Sequence, residues 1–122
     1  MKLEFLEAEY SVCQLPPESA LPTWADGFLS ISRTDDELTI ISPSTHVPED
    51  AKAQRDFRCF RIASQLDFDV IGVIASISAI MAKEKIPILS ISTYNTDYFL
   101  IPRKHRERAH RSLTKSGYRF VE

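Results

Sequence analysis

The residues from Ile86 to Ile101, Ile-Pro-Ile-Leu-Ser-Ile-Ser-Thr-Tyr-Asn-Thr-Asp-Tyr-Phe-Leu-Ile, constrain the fold more than any other part of the chain. Apolar and polar side chains alternate up to a polar turn around Asn95 and Thr96, and the pattern resumes at Tyr98, Phe99 and Leu100. A period of two on both sides of a short polar break reads as a β-hairpin. Asp97 opens the second strand, where a carboxylate among apolar neighbours is costly unless it meets a cation or a hydrogen-bond donor. The arrangement points to a small ligand that carries a positive group.

The segments flanking the hairpin are equally regular. Upstream, Asp56 to Ser64 alternates as a strand around Phe57, Cys59, Phe60 and Ile62, and a loop from Gln65 to Asp69 leads into a helix over about 70–85. Val70, Val73, Ile74, Ile77, Ile80 and Met81 recur at three- and four-residue intervals on that helix, so they are expected to form one core stripe. Ala75, Ser76, Ser78 and Ala79 make a small-residue face that lets another helix or a second copy approach closely. Pro87 stops the helix. Downstream, a second helix over about 102–116 has only Ala109 and Leu113 as an apolar seam, with Gly117 placed to cap it. Tyr118 to Val121 supplies a last strand, which completes the order βαββαβ of the ferredoxin-like pattern in an α+β fold.

The first half is less regular. Lys2 to Leu15 reads as a strand that ends at Pro16-Pro17. A short helical turn is expected from Pro17 to Trp24, because Pro17 suits a first helical position and Glu18 a first turn. Phe28 to Arg33 and Glu37 to Ile41 flank the polar Thr34-Asp35-Asp36 as a second hairpin, giving βαββ. Ser42 to Gln54 is a polar connector with room for one helical turn.

Composition narrows the function classes. With 122 residues, 43% hydrophobic and 26% charged, the chain is globular and holds one ordinary domain or two very small ones. No apolar run approaches the ~20 residues of a membrane span, and no basic leader precedes a hydrophobic core. A cytoplasmic address follows as the expectation. Cys13 and Cys59 lie far apart in strand-like segments and read as buried free thiols. His46, His105 and His110 share no zinc-type spacing with them. No nucleophile–base pairing at motif spacing and no Gly-rich phosphate loop is present, so no enzyme and no cofactor is expected. The second helix carries Arg103, Lys104, Arg106, Arg108, Arg111 and Lys115, a charge pattern compatible with phosphate binding. A closer counterpart exists within the chain: residues 1–50 have a net charge of −8 and residues 51–122 of +6. Opposite halves attract, within one chain or between two copies, and nucleic-acid binding is not the favoured reading.

Two segments taken together, Leu66-Asp67-Phe68-Asp69-Val70-Ile71-Gly72-Val73-Ile74-Ala75-Ser76-Ile77 and Ile91-Ser92-Thr93-Tyr94-Asn95-Thr96-Asp97-Tyr98-Phe99-Leu100, resemble the ACT domain. The likeness is to the branch found in small bacterial tandem ACT proteins, similar to the CASTOR-type cytosolic arginine sensors and the regulatory part of aspartate kinases. It implies an ACT domain over 56–122 preceded by a degenerate ACT-like half over 1–55. It also implies a non-catalytic, amino-acid-binding sensor that works as a homodimer, its ligand at an interface between ACT units, with any output acting in trans on a partner enzyme. The alternative is an interaction module that assembles with a partner enzyme and binds no small ligand.

Carried over by position, the loop from Asp67 to Gly72 meets the ligand's carboxylate and amine, and Thr93, Tyr94, Asn95, Thr96 and Asp97 line its side chain or amine. Elementary chemistry agrees. The first N–H groups of a helix near Val70, Ile71 and Gly72 lack intrahelical partners and sit at the positive end of its dipole, which suits an anion. Gly72, with no Cβ, permits close backbone approach. Asp97, with Asp67 or Asp69, then faces an ammonium or guanidinium group. Each residue also has a plainer role: Gly72 in helix–sheet packing, Asp97 as a turn cap, Asp67 or Asp69 as a helix N-cap, and the four residues from Thr93 to Thr96 as solvated turn.

Overall fold

The computed structural model describes residues 1–63 and 71–121. The chain divides into two compact units, Met1–Glu7 together with Arg58–Glu122, and Ala8–Phe57. Two strands, β1 (Lys2–Leu15) and β4 (Ala53–Ile62), run from one unit into the other.

In the larger unit β4 is followed by α1 (Val73–Lys83), β5 (Leu89–Ser92), β6 (Asp97–Pro102), a 3-10 turn (Arg103–His105), α2 (Arg106–Lys115) and β7 (Arg119–Phe120). This is the expected βαββαβ order. β5 and β6 pair antiparallel from Leu89↔Leu100 to Ser92↔Asp97, so the hairpin register follows the alternation in the sequence. β6 lies beside β4. The leading residues of β1 also belong here. Lys2 and Leu3 pair in parallel with Arg119 and Phe120 of β7, and the Ala63 N–H donates to the Lys2 carbonyl at 2.9 Å.

Both helices bury a narrow stripe on this unit. Ile77 and Met81 from α1 and Ala109 and Leu113 from α2 are fully buried with Leu3, Phe60, Ile62, Ile86, Phe99 and Ile101. Val73 and Ile80 pack at the edge of that cluster, whereas Ile74 is 40% exposed and departs from the core stripe expected of it. Ile74 shares the face of Ile77 and Met81, three and seven residues on, but it sits in the first turn of α1, at the open end of the helix. Val70 lies outside the described residues.

The two helix ends share one device. Ser116 closes α2, Gly117 takes a left-handed φ of 103°, its N–H donates to the Thr114 carbonyl, and the Tyr118 N–H donates to Leu113. At α1 the same bonds run from Lys85 to Ala82 and from Ile86 to Met81, with Lys85 at φ 59°. Both are Schellman caps, and in α1 the buried Met81–Ile86 pair supplies the accompanying apolar contact.

The smaller unit pairs β2 (Ser30–Arg33) with β3 (Leu38–Pro43) from Arg33↔Leu38 to Ser30↔Ile41, and β3 with β1 from Leu15↔Leu38 to Tyr10↔Pro43. Its core holds Cys13, Leu38, Ile40 and Val47, with Trp24 and Leu15 packed against them. Trp24 is thus a hydrophobic anchor, but the expected helix over Pro17–Trp24 does not form: the segment is a pair of turns, with Ser19 N–H donating to Pro16 and Ala25 N–H to Pro22. Pro22 lacks an N–H and biases Leu21 away from helical dihedrals, so the stretch after Pro17 is too short to nucleate a helix. The Arg33 guanidinium donates to the carbonyls of Pro17 and Ser19 and pins the loop. The connector contains one 3-10 turn, Ser44–His46.

Candidate ligand site

The start of α1 is the focus. Gly72 precedes the helix with φ 87°, a left-handed conformation that L side chains rarely adopt, and a Cβ added there would meet nothing within 4 Å. Gly72 is therefore required by the backbone turn and not by helix–sheet packing. Its carbonyl accepts from the Ser76 N–H at 2.8 Å, so the N–H groups of Val73, Ile74 and Ala75 form the open first turn. Among the described residues no side chain caps them. Ile71, just outside, is 94% exposed.

These residues open onto a crevice of about 370 Å³ lined by Met1, Ile71, Gly72, Val73, Ser76, Ser116, Gly117 and Tyr118. Ser76 Oγ and the Tyr118 hydroxyl are 2.8 Å apart and join α1 to the chain leaving α2. No charged side chain is among the described lining residues. Its described lining offers amide N–H groups at a helix start and the hydroxyls of Ser76, Ser116 and Tyr118, a set that can bind a carboxylate through its donors.

The hairpin turn lies at the end of β4. Thr93 and Thr96 close it: the Thr93 N–H and Oγ1 each donate to the Thr96 carbonyl at 2.9 Å, and the Thr96 N–H returns a bond to Thr93 Oγ1. Thr96 is buried, and its Oγ1 donates to the Ile62 carbonyl at 3.0 Å, which ties the turn to the end of β4. Tyr94 is 77% exposed and Asn95 is exposed. Asp97 starts β6, half-buried and opposite Ser92. The turn is thus fastened by its threonines and not by the Asp97 carboxylate.

Of the residues singled out from sequence, Ile71 and Gly72 come together at the crevice, and the five from Thr93 to Asp97 come together at the hairpin end. No hairpin residue is among the described residues lining the crevice. Asp67, Asp69 and Val70 lie outside the described residues. Met1, Ser76 and Tyr118 were not foreseen as lining. Ser76 and Tyr118 are 42 positions apart, and a single serine and a single tyrosine carry no spacing signal. Among the described residues no group of His, Cys, Asp and Glu is placed to hold a metal ion. Cys13 and Cys59 are free and buried, and burial pushes the Cys59 thiol up to about 12.

A family model for the ACT domain matches residues 52–115, and a model described as an N-terminal domain matches residues 8–50. Among solved structures, a protein from Agobacterium tumefaciens superposes with a TM-score of 0.92 at 31% identity, over 98% of this chain and 91% of that one. A Vibrio cholerae protein of unknown function, described as a possible transport protein, gives 0.76 at 16% identity over 93% and 88%. The ligand-free regulatory subunit of aspartate kinase from Thermus thermophilus gives 0.63 at 11% identity over 94% of each chain. The last two likenesses show the fold alone. No curated protein matches the sequence. By the model that covers more than half its length, the chain belongs to the ACT domain family.

Proposed function

We propose that the chain is a non-catalytic regulatory protein that binds an amino acid at an interface between ACT units of two copies. The observation that carries this reading is the start of α1 at Gly72, open to a crevice and, among the described residues, without a capping side chain or a charged lining side chain, on a domain of this family. A ligand carboxylate accepts from the N–H groups of the first turn of one copy, and its cationic group turns to the Asp97 carboxylate of the hairpin across the interface, helped by Asp67 or Asp69. A cationic side chain or a well-held α-ammonium suits such a partner. The regulatory subunit of aspartate kinase with the same fold suggests an output exerted on a partner enzyme in trans.

Dimerisation completes the reading. The exposed side of α1, with Ile71, Ile74, Ala75 and Ala79, offers a second copy a close approach, and the charge asymmetry between residues 1–50 and 51–122 adds an attraction. The degenerate ACT-like half over 1–55 and the ACT domain over 56–122 remain part of the proposal as a division along the sequence. No helix among the described residues is long and apolar enough to cross a membrane, and a cytoplasmic site of action is proposed with the rest.

The test is a thermal-shift screen of the twenty standard amino acids with light scattering on the same samples. A ligand that binds the native state alone raises the melting temperature by mass action. The expected result is a dimer whose melting rises with at least one amino acid. A dimer indifferent to the whole set at millimolar concentration favours the second reading, an assembly module for a partner enzyme, for which the exposed Ile71, Ile74 and Leu89 are the supporting surface. A monomer under all conditions overturns both the interface and the site it is to form.

A further inference from the structure

A second pocket in the larger unit shares no described lining residue with the crevice at Gly72. It has a volume of about 360 Å³, within the range of small-molecule sites, and lies between the first residues of β1, β4, α2 and β7. Its wall is aromatic. Phe5 stacks on Phe120 at 5.1 Å with 9° between the planes, and His110 stacks on Phe120 at 4.4 Å. Its charge is cationic at the same ring. The Arg106 guanidinium sits 4.4 Å from the Phe5 centroid and that of Arg58 at 5.7 Å, so two like charges converge on one aromatic ring.

Neither arginine is fully used. Arg58 is anchored by Nη2, which donates to the Leu6 carbonyl at 2.9 Å, while its Nε is buried and has no hydrogen-bond acceptor. A buried donor left unmade is costly, and an acceptor from a ligand removes that cost. Among the described residues Arg106 pairs only with the neighbouring Glu107, whose side chain is 76% exposed, a pairing that water screens. Two guanidinium forks beside ring faces suit a planar carboxylate joined to a flat apolar body. Glu4 and Glu7 are on the same lining, Glu4 already paired with Arg61 at 2.9 Å, and they disfavour a dianion such as phosphate by like-charge repulsion.

We propose that this pocket is a separate binding site for a small aromatic monocarboxylate, with Arg58 and Arg106 holding the carboxylate and Phe5, Phe120 and His110 the ring. Phenylacetate is the probe, with phenethylamine, acetate and inorganic phosphate as comparisons, read by calorimetry and by the ring resonances of His110. Saturable binding of phenylacetate that shifts His110, at least tenfold weaker in Arg106→Gln and unchanged in Asp97→Asn, is expected. Arg106 is at a helix start with 33% of its side chain exposed and pairs at the surface with Glu107, so its variant keeps the proposal testable if Arg58→Gln fails to fold. Loss of binding in Asp97→Asn but not in Arg106→Gln assigns the probe to the hairpin site and overturns the proposal. So does an absence of binding at millimolar phenylacetate, equal binding of acetate or phosphate, or equal binding of phenethylamine. None of these outcomes bears on whether an amino acid binds at Gly72.

Discussion

Asp97 stands in the sequence as a carboxylate at the start of a strand, and it is the first residue of β6. Among the described residues Thr93 and Thr96 make the turn's hydrogen bonds, and the ligand role proposed for Asp97 is what its variant tests. Asp97→Asn is therefore expected to lower affinity for a cationic amino acid by ~10-fold or more with little change in melting, measured by calorimetry and thermal denaturation on one preparation. An Asp97→Asn protein that binds like the parent removes the residue from the site. Cys59 makes the opposite case, a reactive group silenced by its surroundings. Burial disfavours the thiolate and holds the native value near 12, against an ordinary 9.0. Between those values the unfolded chain releases this proton and the native one keeps it, so the contribution to stability is complete below pH 9.0 and falls as pH rises toward 12. Alkylation at pH 8 should accordingly follow global unfolding and not proceed on the native protein; rapid labelling without denaturant is the contrary result.

At the scale of elements, strong periodicity was read correctly and weak periodicity was not. The hairpin register, the α1 stripe at Ile77 and Met81 and the sparse seam of α2 at Ala109 and Leu113 all stand in the sequence as spacings. The loop over Pro17–Trp24 misled because helix-start signals at Pro17 and Glu18 were weighed without the stop at Pro22. The cap of α1 was hidden for a different reason: Lys85 is the wrong residue type for a left-handed position, and it sits there because Met81 and Ile86 are both buried and require the chain to turn between them. Lys85→Gly should thus stabilise the protein by about 1 kcal/mol, since glycine carries no Cβ penalty at positive φ. Ile77→Ala, fully buried beside Met81, should instead cost about 2 to 5 kcal/mol through the cavity it leaves. Denaturant melts of the two variants are expected to move in opposite directions. A Lys85→Gly protein less stable than the parent would show that the Lys85 side chain contributes more than its backbone strain costs.

The organisation of the whole chain was the least legible level, because it depends on a pairing of the first residues with nearly the last. Spacing along the sequence reports local structure, and Lys2↔Arg119 and Leu3↔Phe120 leave no trace in any local window. The consequence is that residues 56–122, although they contain a full βαββαβ order, lack part of their own sheet and core. Leu3 is fully buried among Phe60, Ile77 and Leu113, and Phe5 packs on Phe60 and Phe120. Removing Leu3 alone forfeits a fully buried leucine, about 2 to 5 kcal/mol on the scale of leucine-to-alanine changes, and small domains have ~5–15 kcal/mol in total. β7, only two residues long, also loses its parallel partner. A fragment comprising residues 56–122 should therefore show no cooperative thermal transition, and adding a peptide of residues 1–7 at high concentration should restore part of it. The full chain with Leu3→Ala should fold but melt well below the parent, which separates loss of core from loss of chain connection. A 56–122 fragment that melts cooperatively with the stability of the intact protein would mean that the first strand is an accessory to this unit, and would place its contribution elsewhere in the chain.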